Sequence, residues 1–307
     1  MALSTPSPAT GQRPYAEDCR DASVRDFVTL LKPGVLSLVV FTAFIGALLA
    51  PGHLHPYVLF ISLLSIALGA GGAAAFNMWY DRDIDMIMTR TQKRPIPAGR
   101  IAPQDGLCFS VLLCVTSVVL MALATNFLAA ALLCVSILYY TFFYTAYLKR
   151  RTAQNIVIGG GAGAFPPLIG WVSVTGDVGI LPLLLFWIIF IWTPSHFWAL
   201  SLYRCQDYTL AGVPMLPVTR GIKVTKQHIV VYALALALSA LLPWGLGYLG
   251  PLYGAVSLIL GAVYLELSRR VIKGGEKEAI RLFVFSIAYL FILFLSMIVD
   301  YVVRTYT

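Results

Sequence analysis

Apolar residues run along this chain in long blocks, and charged positions are confined to the connections between them. Blocks long enough to cross a bilayer, roughly 17–25 residues each, recur nine times. They cover 33–50, 57–80, 106–124, 127–147, 155–175, 181–203, 229–249, 251–266 and 281–303, the eighth being the shortest. Each is predicted to be helical, because lipid offers no partner to an unpaired backbone group. The pattern predicts an all-α membrane protein, a bundle of nine transmembrane helices forming one domain over 27–307. Residues 1–26 carry Arg13, Arg20 and Arg25 among Glu17, Asp18, Asp21 and Asp26, with no apolar stretch. That segment reads as a solvated, partly disordered cytoplasmic tail, not a secretory signal or an organellar transit peptide.

Composition excludes a soluble globular domain. Of 307 residues, 59% are hydrophobic and 12% charged, about half the charged share of ~25% usual in soluble proteins. The net charge of +8 would suggest nucleic acid as the partner of a soluble protein, but its distribution says otherwise. All but one of the 22 basic residues fall in the N-terminal segment or in the connections 81–105, 148–154, 204–228 and 267–281. The exception is Arg304, and the remaining connections have none. The positive-inside rule then predicts a cytoplasmic N-terminus, an external C-terminus and no nucleic-acid partner. Two of the basic connections exceed twenty residues, so soluble chemistry is expected on the cytoplasmic face. They follow the second and sixth spans, which hints at a duplicated helical bundle. Five scattered cysteines without CxxC spacing read as small buried side chains, not as a metal site or disulfide framework.

The second span contains the small-residue stretch 69–75, suited to close helix approach, and then runs into Asn77, Asp81, Asp83 and Asp85. Asn77, Asp81 and Asp85 recur every four residues and so share a helical face, drifting only ~40° per step. Stacked oxygen ligands at a membrane surface need a cation among them, and Mg²⁺ binds through one or two carboxylates plus substrate phosphates. Asp83 and Arg82 read as ordinary surface charges. Arg90, Lys93 and Arg94 follow closely and offer donors to phosphate oxygens. A second cluster, Tyr203, Arg204 and Asp207, follows the sixth span; facing the first, Asp207 would complete a two-sided metal cage, although a lone aspartate there is more often a helix cap. Lys149, Arg150 and Arg151 precede Asn155 and a glycine-rich fifth span read as tight packing or a cavity wall. His196 is the one histidine within a span, and it divides between a hydrogen-bonded core residue and a functional group.

The run Asn77-x3-Asp81-x3-Asp85 with Arg90-Thr91 and Arg94-Pro95 resembles the first aspartate-rich motif of the UbiA-type intramembrane prenyltransferases. Asp81 to Asp85 with its Arg-Thr tail, Asn155 to Pro167, and His196 through Asp207 to Pro217 are similar to its haem-farnesylating branch. The resemblance extends over about residues 27–303. It implies transfer of the farnesyl group of farnesyl diphosphate to a vinyl group of haem b with addition of water, giving haem O for haem-copper oxidases. It also implies Mg²⁺ held by Asn77, Asp81, Asp85 and Asp207, and a diphosphate neutralised by Arg90, Lys93, Arg94 and Lys149. Arg204 and Asn155 join as substrate-binding residues. Tyr203 and His196 are candidates for the water step, with iron contact an alternative for His196. A haem A synthase or oxidase assembly factors would be downstream partners, and the place a bacterial cytoplasmic membrane. Two departures stand out: only Asp207 is acidic in the second motif, and Tyr144 precedes Lys149 by five residues where the superfamily spaces such a pair by four. A sister enzyme acting on an aromatic or quinone precursor, a transporter of an anionic lipid or metabolite, and a structural assembly subunit are the alternatives. Charge gathered at one surface and not at midplane argues against the transporter.

Overall fold

The computed structural model describes residues 22–306, all of whose regular elements are helices. A short helix α1 (Val24–Leu30) is capped by Ser23, whose hydroxyl accepts from the Asp26 amide. It is followed by α2 (Pro33–Leu48), α3 (Pro56–Tyr80), the one-and-a-half-turn α4 (Arg82–Ile87) and α5 (Pro103–Ala124). Next comes α6 (Phe127–Leu138), which continues as a π-helical stretch over Tyr139–Leu148, and then α7 (Asn155–Gly159) and α8 (Gly161–Thr175). The second half comprises α9 (Ile180–Tyr203), α10 (Cys205–Leu210), α11 (Leu216–Thr219), α12 (Gly221–Gly245), α13 (Pro251–Lys273) and α14 (Glu276–Tyr306).

Eight helical segments have the length and apolarity to cross a bilayer; α1 with α2, bent by 56°, makes a ninth only if that pair counts as one broken span. The expected tail needs a correction at its end, since residues 24–26 already form the first turn of α1; residues 1–21 lie outside those described. Two basic connections are also shorter than expected. Helix α12 begins at Gly221 and not near 229, and α13 and α14 leave only Gly274 and Gly275 between them. Lys and Arg side chains hid these turns, because a helix can leave the apolar layer without ending. Cys108 is exposed and Cys114, Cys134 and Cys205 are only half-buried, against the expected burial; within the spans, lipid-facing surface serves the thiols of Cys108, Cys114 and Cys134 as well as a core does, and Cys19 lies outside the described residues.

Two groups of helices meet along α2 and α8. In one, α3 packs on α5, and α6 on α5 and α8; in the other, α9, α12, α13 and α14 pack together. Helices α2 and α8 touch backbone to backbone. A Cβ on Gly46 would fall 2.0 Å from the Pro167 carbonyl oxygen, and one on Gly170 2.0 Å from that of Ala43. Small residues permit this approach, which replaces the hydrophobic drive that lipid does not supply. The hinted duplication has a structural counterpart: α3 and α9, of 25 and 24 residues, each end in a break followed by a six-residue helix. Those two ends carry the acidic motifs.

Candidate active site

Asn77, Asp81 and Asp85 form one column. The backbone breaks at Asp81, yet the Asp81 amide bonds the Asn77 carbonyl at 2.9 Å and the Asp85 amide the Asp81 carbonyl at 2.8 Å. The four-residue spacing therefore survives the break. All three side chains are buried, Asp81 completely. Asp83 points outward, as expected, and pairs with Arg150 through two 2.7 Å bonds. Partial burial raises its pKa, but the bonds and charge of Arg150 together with backbone amide bonds hold the carboxyl below the usual range.

Buried carboxylates need compensation, and cations from the loop that follows and from the 148–151 turn provide it. Lys149 donates to Asp81, Arg150 reaches the other Asp81 oxygen at 3.4 Å, and Arg94 donates to Asp85 at 2.6 Å. Asn77 differs from its expected part as an oxygen ligand: its amide nitrogen donates to Asp81 at 2.6 Å, and its oxygen accepts from Lys32 at 2.8 Å. Lys32 was legible in the sequence only as a topology charge. It sits at the elbow between α1 and α2, with φ of 53°, the one non-glycine residue among those described with a positive φ. Such a conformation costs of order 1 kcal/mol or more and persists where the surroundings demand it.

The π-helical turn accounts for the Tyr144–Lys149 spacing. The Lys149 amide bonds the Tyr144 carbonyl at 2.9 Å, five residues back, so the wide turns bring into line residues that a plain α-helix would splay. Tyr144 fits because residue 159 is glycine: a Cβ there would lie 2.1 Å from its ring. Asn155 is fully buried and donates to the Thr152 carbonyl at 2.7 Å, closing the turn that presents Lys149.

Asp207 faces this cluster from α10. Both its oxygens accept from the Thr89 hydroxyl at 2.9 Å, and Tyr208, Val213 and Met215 pack with Ile84 and Met88. The two motifs thus meet, but the expected two-sided cage does not form as drawn. Among the described residues, no three His, Cys, Asp or Glu side chains gather closely enough to hold an ion by themselves; threonine occupies the Asp207 carboxylate, and lysine and arginine occupy the others. Arg90 and Lys93 are exposed at the rim, Arg204 covers the Tyr203 ring at 5.4 Å, and burial raises the pKa of Tyr208 against the pull of Arg90. His196 is buried on α9, stacked between Trp192 and Phe283, and bonds Ser286 rather than a carboxylate. An apolar groove of about 590 Å³ starts at Pro33, beside Lys32, and runs past Leu36, Val40 and Phe41 to Phe44 and Leu63.

The sequence model of the UbiA prenyltransferase family matches residues 39–298. The chain belongs to that family. It is therefore a prenyltransferase and a multi-pass integral membrane protein. It is 53% identical over 288 residues to a protoheme IX farnesyltransferase of Sinorhizobium fredii, covering 92% of this chain and 91% of that protein. A protoheme IX farnesyltransferase of Granulibacter bethesdensis is 51% identical, with 91% of each chain covered. Solved structures share the UbiA fold at lower identity. A digeranylgeranylglyceryl phosphate synthase superposes with a TM-score of 0.75 at 18% identity, over 90% of this chain and 97% of that one. A UbiA homologue from Archaeoglobus fulgidus, bound to GPP and Mg²⁺, gives 0.66 at 15%, over 89% and 99%.

The donor set of this UbiA-family chain suits a cation shared with a phosphorylated ligand better than one caged by protein alone. Asp85 Oδ1 accepts no bond among the described residues, and hard cations such as Mg²⁺ are commonly held by one or two carboxylates and substrate phosphate oxygens. Asn155 Oδ1, Arg150 Nε and Arg204 Nε, buried at the same end, have no hydrogen-bond partner among the described residues.

Proposed function

We propose that this protein transfers the farnesyl group of farnesyl diphosphate to a vinyl group of haem b, giving haem O and diphosphate. The observation that supports it most is the buried Asp81–Asp85 column, ringed by Lys32, Arg94, Lys149 and Arg150 and set beside an apolar groove. The identity of about half to protoheme IX farnesyltransferases over nearly the whole chain supports the choice of haem.

In this reading Asp81, Asp85 and Asp207 hold Mg²⁺, which when bound would neutralise diphosphate oxygens as a Lewis acid. Lys32, Arg94 and Lys149 exchange part of their bonding from carboxylate to diphosphate, and Arg90 and Lys93 close over it from the rim. Cations fixed where negative charge develops favour scission of the allylic C–O bond, whose electron pair leaves with diphosphate. The farnesyl chain lies in the groove from Pro33 to Phe44, a helix length of ~17 Å at 1.5 Å per residue, where apolar walls keep water from the allylic carbon. The terminal vinyl carbon of haem bonds to that carbon. Water then adds at the inner vinyl carbon and gives up a proton, leaving a hydroxyethylfarnesyl group. The basic end faces the cytoplasm of a bacterial cell by the distribution of lysine and arginine. Haem O would pass to a haem A synthase or to assembly of a haem-copper oxidase.

Mass spectrometry of porphyrins extracted after incubating the purified protein with farnesyl diphosphate, Mg²⁺ and haem b tests this. A product heavier than haem b by one farnesyl group and one hydroxyl is expected. Unaltered haem b, together with prenylation of an aromatic or quinone precursor when that is supplied in a parallel incubation, would overturn the choice of acceptor.

A further inference from the structure

His196 is held in an unusually defined way for a residue with no part in the carboxylate cluster. Its ring is sandwiched between Trp192, at 4.3 Å and 18°, and Phe283, at 4.7 Å and 24°, so both faces are covered. Nδ1 lies 2.5 Å from the Ser286 hydroxyl, and that hydroxyl lies 2.6 Å from the Phe283 carbonyl. A serine hydroxyl carries one proton and a carbonyl carries none, so the proton of Ser286 goes to Phe283 and its oxygen accepts from His196. Nδ1 therefore carries a proton, and a buried imidazole with no carboxylate partner among the described residues is neutral. Ser286 is itself pinned, since its carbonyl accepts from Trp192 Nε1 at 2.9 Å. The remaining ring nitrogen, Nε2, has a lone pair in the ring plane and no protein partner among the described residues.

Nε2 is not a fully buried atom, so a ligand can approach it. One nitrogen locked by a hydrogen bond and the other left basic and open is the arrangement of a metal-ligating histidine. Position agrees. His196 precedes Tyr203 by seven residues, ~11 Å along α9, and Phe197 beside it packs with Ile84, Met88 and Tyr208 under the carboxylate end. We propose that His196 Nε2 is an axial ligand to the iron of the porphyrin substrate, anchoring the macrocycle below the diphosphate site. The inference rests on haem being the acceptor. The role is positional: the iron is held so that one edge of the ring meets the allylic carbon, and no electron transfer is involved.

The test titrates ferric haem b into the purified full-length protein in lipid nanodiscs, without farnesyl diphosphate, and reads absorption and electron paramagnetic resonance spectra. The wild type should show a nitrogen-ligated iron. His196→Ala should lose that signature and regain it when free imidazole is added, which also shows that the pocket is intact. Ser286→Ala, which removes the acceptor for Nδ1–H but keeps the ligand, should bind haem roughly tenfold more weakly. A wild-type spectrum without a nitrogen ligand, or a His196→Ala spectrum like the wild type, overturns the assignment. In turnover, the wild type should prefer haem b to metal-free protoporphyrin IX and His196→Ala should not; a preference unchanged by the substitution also overturns it. If the wild type prenylates neither porphyrin, the acceptor assignment fails, and the ligation spectrum still decides the role of His196 separately.

Discussion

Asp81 and Asp85 are buried acids that each face a cation from elsewhere in the chain, and that pairing sets the effect of replacing them. Asp81→Asn or Asp85→Asn removes a ligand charge and leaves Lys149 or Arg94 without its counter-ion. Transfer should fall by roughly a hundredfold or more, the scale seen when a group that stabilises transition-state charge is lost. Asp83→Asn should cost only about a few-fold, because an exposed ion pair contributes little. Initial rates of porphyrin prenylation measure all three, and similar losses at 83 and 85 would remove the distinction. Spacing made this column legible, since four residues is one helical turn. Lys32 was not legible: its bond to Asn77 joins positions 45 apart in sequence, and only the folded elbow brings them together. Lys32→Met should raise the Kd for farnesyl diphosphate several-fold, read by titration calorimetry.

Between residue and molecule, several elements act through how they place others. Segment 88–101, which carries Arg90, Lys93 and Arg94, is clasped to α1 by Arg100, bonding Asp26 at 2.7 Å and the Lys93 carbonyl at 3.1 Å. Arg100→Ala should loosen this segment and raise KM for farnesyl diphosphate while kcat changes little; a kcat loss at constant KM would contradict that. The close approach of Gly46 to Pro167 and of Gly170 to Ala43 leaves no room for a side chain. Gly170→Val should destabilise the bundle by about 1–3 kcal/mol, the usual cost of overpacking, seen as a lower Tm in detergent. Apolar periodicity revealed the helices but not their ends, because α12 and α13 continue into water on charged residues. Nor could it reveal the π turn at Tyr139–Leu148, which made the Tyr144–Lys149 spacing look irregular.

For the whole molecule, the arrangement is a charged cluster of carboxylates and cations beside an apolar groove. Apolar runs and the basic-residue distribution made the bundle legible at this scale. The meeting of the two acidic motifs is a tertiary fact: Thr89 and Asp207 lie 118 residues apart. The central claim is that this cluster binds diphosphate through a shared divalent cation. Calorimetric titration of the purified protein with a non-ionising farnesyl thiodiphosphate, with Mg²⁺ and with excess EDTA, tests it most directly. Tight binding that needs Mg²⁺ and is lost in Asp81→Asn and Asp85→Asn is the predicted result. Equal affinity in EDTA, or in both variants, would contradict it.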